Sequence, residues 1–257
     1  MLDIISIIVI LVAVGLGAGT LGSMVGVGGG IIMVPALTFV GMAPSQIAST
    51  SLFAVTSTAT SSTIAFSRQK RIDYRLGIEM AAFAVPGAVL GAFISDQISA
   101  ADFRLYFGIL LLLVGVYVIK RNSILREKEA GKIRPLRKAM VYATTFGAGI
   151  ISSLFGVGGG VVFVPLMLLV LGMTMHRAAA TSQLTLLVTS LVGVFTHVAL
   201  GHPDYLYALV LSAGAFVGGQ LGAKYSKSAK DLLLQRMLGV ALIAVAIKFI
   251  TDWFWAK

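Results

Sequence analysis

The sequence has no cysteine, which excludes disulfides, thiolate metal sites and cysteine redox chemistry. It is also short of charge: 12% of its 257 residues are Asp, Glu, Lys or Arg, about half the roughly 25% of a soluble domain. Hydrophobic residues make up 58% instead. Apolar runs of about 20 residues recur along the chain, and each is long enough to cross a bilayer. The run beginning at Leu2 lacks a basic leader and a cleavage site, so it reads as a retained segment rather than a removed signal. The formal net charge of +10 would suggest nucleic acid in a soluble protein. In an integral membrane protein the same basic residues read as topology signals in cytoplasmic loops, and no nucleic-acid partner is expected.

The chain is an internal duplication. GVGGGIIMVP occupies 26–35 and GVGGGVVFVP occupies 156–165, 130 positions apart. After one inserted residue the offset becomes 131 and then holds without a gap. Thr50-Ser51 matches Thr181-Ser182, Asp73-Tyr74 matches Asp204-Tyr205, Leu90-Gly91-Ala92 matches Leu221-Gly222-Ala223, and Gly108 matches Gly239. Apolar segments near 3–22, 31–42, 45–66, 75–95 and 102–120 are repeated near 138–154, 161–172, 177–199, 205–223 and 232–251. The segment after each glycine cluster has about 12 residues, or about 18 Å of helix, against a hydrocarbon core of about 30 Å. It cannot cross alone, so the cluster reads as a turn inside the membrane.

Loop charge sets the expected orientation. Arg68, Lys70, Arg71 and Arg75, the linker 121–137 with its flanks, Arg177, and Lys224, Lys227, Lys230 and Arg236 place 17 of the 20 basic residues on the cytoplasmic side. The basic loop precedes Asp73-Tyr74 in the first half but follows the Asp204-Tyr205 segment in the second. The expected fold is therefore all-α and polytopic, with two inverted-topology repeats at 1–120 and 138–257. Each is a re-entrant, broken helix pair followed by three transmembrane helices. Both chain ends fall outside and the linker 121–137 inside. Such repeats are a feature of transporters with a site at the midplane.

The glycine clusters supply the chemistry. The first N–H groups of a helix have no internal acceptor and sit at the positive end of its dipole, which suits an anion. Gly28, Gly29, Gly30 and Ile31, with Gly158, Gly159, Gly160 and Val161, are the expected anion ligands. Pro35 and Pro165 would kink the short helices. The clusters are not nucleotide loops, since no GK[ST] ending or preceding strand accompanies them. Thr50, Ser51, Thr181, Ser182 and Gln183 follow as candidate donors, with Gln46 and Gln220 weaker. The hydroxyl-rich stretch 56–63 reads as close-packing residues more than as a pathway. Asp73 and Asp204 read as helix N-caps, Trp253 and Trp255 as interface anchors, and Glu79 as an interfacial ion pair with Arg75. Glu79 and His197, with His202 in an outer loop, are the candidates for proton coupling. No His, Asp, Glu or Cys cluster suggests a metal, no cofactor is expected, and no nucleophile with a buried base suggests an enzyme.

Two copies of GVGGG-x4-P, each followed by Thr-Ser (Thr50-Ser51 and Thr181-Ser182), resemble the TauE/SafE family of sulfite exporters over essentially the whole chain. The resemblance implies movement of sulfite, a related oxyanion or an organosulfonate across the bacterial cytoplasmic membrane. The expected partners are that anion and the lipid bilayer. Oligomeric state is left open, with a homodimer as one option. The competing expectation is uptake of thiosulfate or a related anion with proton or cation coupling.

Overall fold

A computed structural model describes residues 4–124, 135–227 and 231–255. The central ten residues of the linker, 125–134, lie outside this set. The described residues form ten helices joined by turns: α1 (Ile4–Val25), α2 (Gly30–Val40), α3 (Pro44–Arg68), α4 (Tyr74–Ser95), α5 (Ala100–Ile124), α6 (Pro135–Phe155), α7 (Gly160–Leu169), α8 (Met175–Ala199), α9 (Tyr205–Tyr225) and α10 (Asp231–Trp255). The boundaries fall close to the sequence segments. The short helices α2 and α7 have 11 and 10 residues, about 15–17 Å at 1.5 Å per residue.

Among the described residues, five helices contain spans long and apolar enough to cross a membrane: Ser6–Val25, Tyr74–Ser95, Ala100–Tyr117, Met175–Ala199 and Tyr205–Tyr225. Their outer faces carry large apolar side chains such as Val9, Phe195 and Leu209, which are more than half exposed. In a bilayer, lipid covers such faces. α3 falls outside this group because it is rich in Ser and Thr, yet Thr50, Ser51, Thr58, Ser61 and Ser62 are all fully buried within it. Its hydroxyls act as glue. Ser57 donates to the Ser212 carbonyl at 2.8 Å, Ser61 to the Phe216 carbonyl at 2.5 Å, and Ser62 to Ser23 Oγ at 2.8 Å. The packing reading of 56–63 therefore holds along the α9 face.

The chain divides into two compact units. One comprises 1–96 with 130–227; the other comprises 97–129 with 228–257, in which α5 packs on α10. In the first unit α1 packs on α9 and α6 on α4, while α3 lies against α9 and α8 against α4. Glycines make these approaches close. A Cβ on Gly15 or Gly19 would collide with the α9 backbone at Leu211 and Ala215, and one on Gly87 or Gly91 with α6 at Phe146 and Ile150. Small residues at such spacing let membrane helices touch backbone to backbone.

The same neighbours give helix directions. Gly214, Gly218 and Gly222 meet Val12, Leu16 and Thr20 in order, so α1 and α9 run the same way. Ser57, Ser61 and Gln69 bond to Ser212, Phe216 and Ala223 in order, so α3 runs with them. Asp73 and Gly77 meet Thr181 and Thr185, so α4 and α8 run together. α6 runs with α4, and α3 ends where α4 begins. At that shared end the basic loops converge. Arg71 donates to Ser226 Oγ at 3.0 Å and to the His176 carbonyl at 3.3 Å, its guanidinium lies 5.0 Å over the Phe66 ring, and Arg177 reaches Asp73 at 3.8 Å. Asp73 and Asp204 cap α4 and α9 as expected, accepting from Leu76 N–H and from Leu206 and Tyr207 N–H.

Candidate functional site: two glycine turns in contact

The first turn is built where α1 runs out. Gly26, Gly28 and Gly29 adopt φ of 84°, 86° and 88°, a left-handed backbone that costs a side-chain-bearing residue about 1–2 kcal/mol. Val27 and Gly28 N–H both donate to the Gly22 carbonyl, at 2.8 and 3.2 Å, and close the end of α1. The chain then re-enters helix at Gly30. The second turn repeats this with Gly156 and Gly158 at φ 73°, but Gly159 has φ −62° where Gly29 has +88°.

The two turns touch. A Cβ on Gly30 would lie 2.5 Å from Val157 Cα, and one on Gly160 would lie 2.6 Å from the Gly26 carbonyl oxygen. The first residue of each short helix thus rests against the other turn. Val55 and Leu186 lie over both: a Cβ on Gly28 would meet their methyls at 3.1 and 3.2 Å, and one on Gly158 at 2.7 and 2.8 Å. Val55 and Leu186 are each the twelfth residue of a 25-residue helix, so the turns sit at the middle of α3 and α8. The sequence reading missed this apolar pair, although the 131 offset relates the two positions.

The expected donors are present. Among the described residues, the N–H groups of Gly29, Gly30 and Ile31 and of Gly159, Gly160 and Val161 have no protein acceptor; helix bonding begins with Ile32 and Val162, which donate to the Gly29 and Gly159 carbonyls at 3.0 and 2.9 Å. All six residues are buried. A buried donor left without an acceptor costs about 1–3 kcal/mol, and such backbone persists at membrane depth only in protein or against a cavity. Pro35 and Pro165 lie within α2 and α7.

The hydroxyl pairs that sequence relates as equals differ in use. In the second half, Ser182 Oγ donates to the Gly26 carbonyl at 2.7 Å, Gln183 Nε2 to the Gly22 carbonyl at 3.2 Å, and Thr181 Oγ1 accepts from Asp73 N–H at 3.0 Å. These side chains hold the first turn and the start of α4. In the first half, Thr50 Oγ1 and Ser51 Oγ are fully buried and have no partner among the described residues. Gln46 instead closes the N-terminus of α3, accepting from Ala43 N–H at 3.2 Å, and Gln220 Nε2 donates to the Ser61 carbonyl at 2.9 Å.

The remaining candidates lie elsewhere. Glu79 pairs with Arg75 at 3.1 Å and accepts from Tyr142 Oη at 3.5 Å; its side chain is 42% exposed, as an interfacial ion pair requires, and no bond joins it to the turns. His197 is fully buried in the last turn of α8.

Comparison with known proteins agrees with this architecture. The family described as Sulfite exporter TauE/SafE matches residues 11–249. The probable membrane transporter protein YunE of Bacillus subtilis is 31% identical over 95% of this chain and 97% of its own length. The probable membrane transporter protein MJ0441 of Methanocaldococcus jannaschii is 27% identical over 91% of each chain. YfcA of Escherichia coli K12, also a probable membrane transporter protein, is 24% identical over 91% of this chain and 86% of its own. No solved structure matches.

Proposed function

The chain belongs to the TauE/SafE sulfite exporter family of membrane transporters, and from that premise we propose that it is a secondary carrier exporting a sulfur-containing oxyanion, sulfite or an organosulfonate. The observation that carries the proposal is the set of six buried N–H donors, three at each of two helix starts in mutual contact. Such starts attract negative charge and hydrogen-bond its oxygens without a fixed cation. An anion held only by dipoles and hydroxyls is released more easily than one held by arginine. Thr50 and Ser51 extend the donor set, since no protein group competes for their hydroxyls.

The same reading takes the halves as inverted repeats. Its support is the direction of the packed helices: α1, α3 and α9 run towards the basic end, while their counterparts α6, α8 and α4 run away from it. An anion between the turns would then sit at the midplane, and rocking of one half against the other would expose it to either side. With the basic end cytoplasmic, export of one negative charge gains about 2.3 kcal/mol per 100 mV. The test is ligand-dependent unfolding of purified protein with sulfite, sulfate, thiosulfate and sulfoacetate. Binding at 100 times Kd adds about 2.7 kcal/mol, so a true substrate raises Tm by several degrees. No shift with any of the four would remove the anion assignment.

A further inference from the structure

Polar side chains form a second cluster at the far end of the first unit. α4 and α8 both start among the basic loops and end here. His197 Nε2 lies 3.0 Å from the Ser153 carbonyl oxygen in the last turn of α6. His197 Nδ1 lies 2.8 Å from His202 Nδ1, and His202 Nε2 lies 2.9 Å from Asp96 Oδ1 but makes no hydrogen bond. Exposure rises along the chain: His197 is fully buried, the His202 side chain is 6% exposed, and the Asp96 side chain is 52% exposed.

The contacts fix a proton count. A carbonyl only accepts, so His197 Nε2 carries a hydrogen. Two imidazole nitrogens at 2.8 Å share one hydrogen, because two lone pairs at that distance repel. Two neutral imidazoles carry just these two hydrogens. His202 Nε2, buried and 2.9 Å from Asp96 Oδ1 without a hydrogen bond, is then the position open to a third. Few other groups act on it. Asp204 is committed to the first turn of α9, Arg68 is the ionisable residue of α3 and sits at its other end, and the charged residues within α4, α6 and α8 lie near their starts.

The duplication sharpens the contrast. At the 131 offset, His197 and His202 correspond to Phe66 and Arg71, where a permanent cation stacks on an aromatic ring. The same two positions hold a fixed charge at one end and a titratable pair at the other. We propose that Ser153, His197, His202 and Asp96 form a proton-binding site that couples one proton to anion movement. The coupling rests on the carrier reading above; the proton site itself does not. Ser153 lies three residues before Gly156, so the inner end of the chain bonds to the backbone that leads into the second glycine turn. His197 shares α8 with Leu186, which covers both turns. A proton taken at His202 Nε2 pairs it with Asp96 and, through the hydrogen shared by the two Nδ1 atoms, acts on the end of α8.

Two measurements test this. The first needs no substrate: nitrogen-15 NMR of protein labelled at its three histidines, assigned with His176→Ala and His197→Phe. A hydrogen bond joining the two Nδ1 atoms, seen as coupling between them and lost in His197→Phe, is expected. On acidification the His202 Nε2 signal should move to its protonated position with the Nδ1 coupling kept; independent Nδ1 signals, or a His202 Nε2 signal that ignores pH, would overturn the site. The second is accumulation of a fully ionised sulfonate in proteoliposomes with the membrane potential clamped. One coupled proton shifts the accumulation ratio by about tenfold per unit of pH gradient. The double variant His197→Phe with His202→Arg copies the pair at 66 and 71, and should carry the sulfonate with no dependence on the gradient. Wild-type accumulation that ignores the gradient would overturn the coupling. Absence of all flux in the wild type would instead count against the carrier reading, and the NMR result would still decide the proton site.

Discussion

Replacing Ser51 and Ser182 by alanine, one at a time, tests the asymmetry of the two halves. Sequence makes these serines equivalent. In the structure Ser182 Oγ donates to the buried Gly26 carbonyl at 2.7 Å, while Ser51 Oγ is buried without a partner. Removing the Ser182 hydroxyl strands a carbonyl. Such losses average about 0.6 kcal/mol in a membrane protein, with a maximum near 1.7, and lie at about 1–3 kcal/mol for a fully desolvated group. A loss of about 1–2 kcal/mol is expected, seen as a fall in Tm of several degrees in detergent. Removing the Ser51 hydroxyl deletes a polar group with no protein bond to lose. Its stability should stay the same or rise by up to about 1 kcal/mol. Function should change in the opposite sense. Ser51→Ala should weaken anion binding by about tenfold, one hydrogen bond to a charged group being worth about 1.5 kcal/mol or more. Ser182→Ala should bind the anion with little change once folded. Unfolding curves with and without sulfite separate the two quantities. Equal destabilisation by both variants, or unchanged sulfite protection in Ser51→Ala, would refute the reasoning.

Other variants probe the remaining geometry. Thr50→Val keeps the shape of a buried residue and removes its unpaired hydroxyl; it should fold as well as wild type, with sulfite-dependent protection weakened by about tenfold. Gly160→Ala places a Cβ 2.6 Å from the Gly26 carbonyl oxygen, so anion protection should vanish and detergent-extracted protein should unfold at lower temperature. Gly147→Ala is its control: no atom lies within 4 Å of its Cβ, and it should gain about 0.5–1 kcal/mol with unchanged flux. Val55→Phe enlarges the side chain over both turns and should block flux in proteoliposomes at a stability cost of about 1–3 kcal/mol.

Much of this could be read from the residues because the membrane imposes strong rules. Helix number and length follow from apolar runs, and the short α2 and α7 follow from glycine clusters set too close to the next polar loop. The aspartate caps and the Arg75–Glu79 pair were legible because both act over one turn of helix. Long-range relations were less so. The register of Val55 and Leu186 over the turns depends on how α3 and α8 cross, which no local pattern encodes. Thr181 and Ser182 look like Thr50 and Ser51, yet their partners come from residues more than 100 positions away. His197 reads alone as a residue near a helix end; only the return of the chain at His202 and the end of α4 at Asp96 reveal the proton chain.

The central claim is that the two glycine turns hold the anion together. The direct test is a structure determined with selenite or selenate, whose selenium marks an oxyanion of the same shape by its anomalous signal. The account predicts one selenium peak between the starts of α2 and α7, with its oxygens accepting from N–H groups of both Gly29–Ile31 and Gly159–Val161. A peak elsewhere in the protein, or one bound by a single turn, would contradict it.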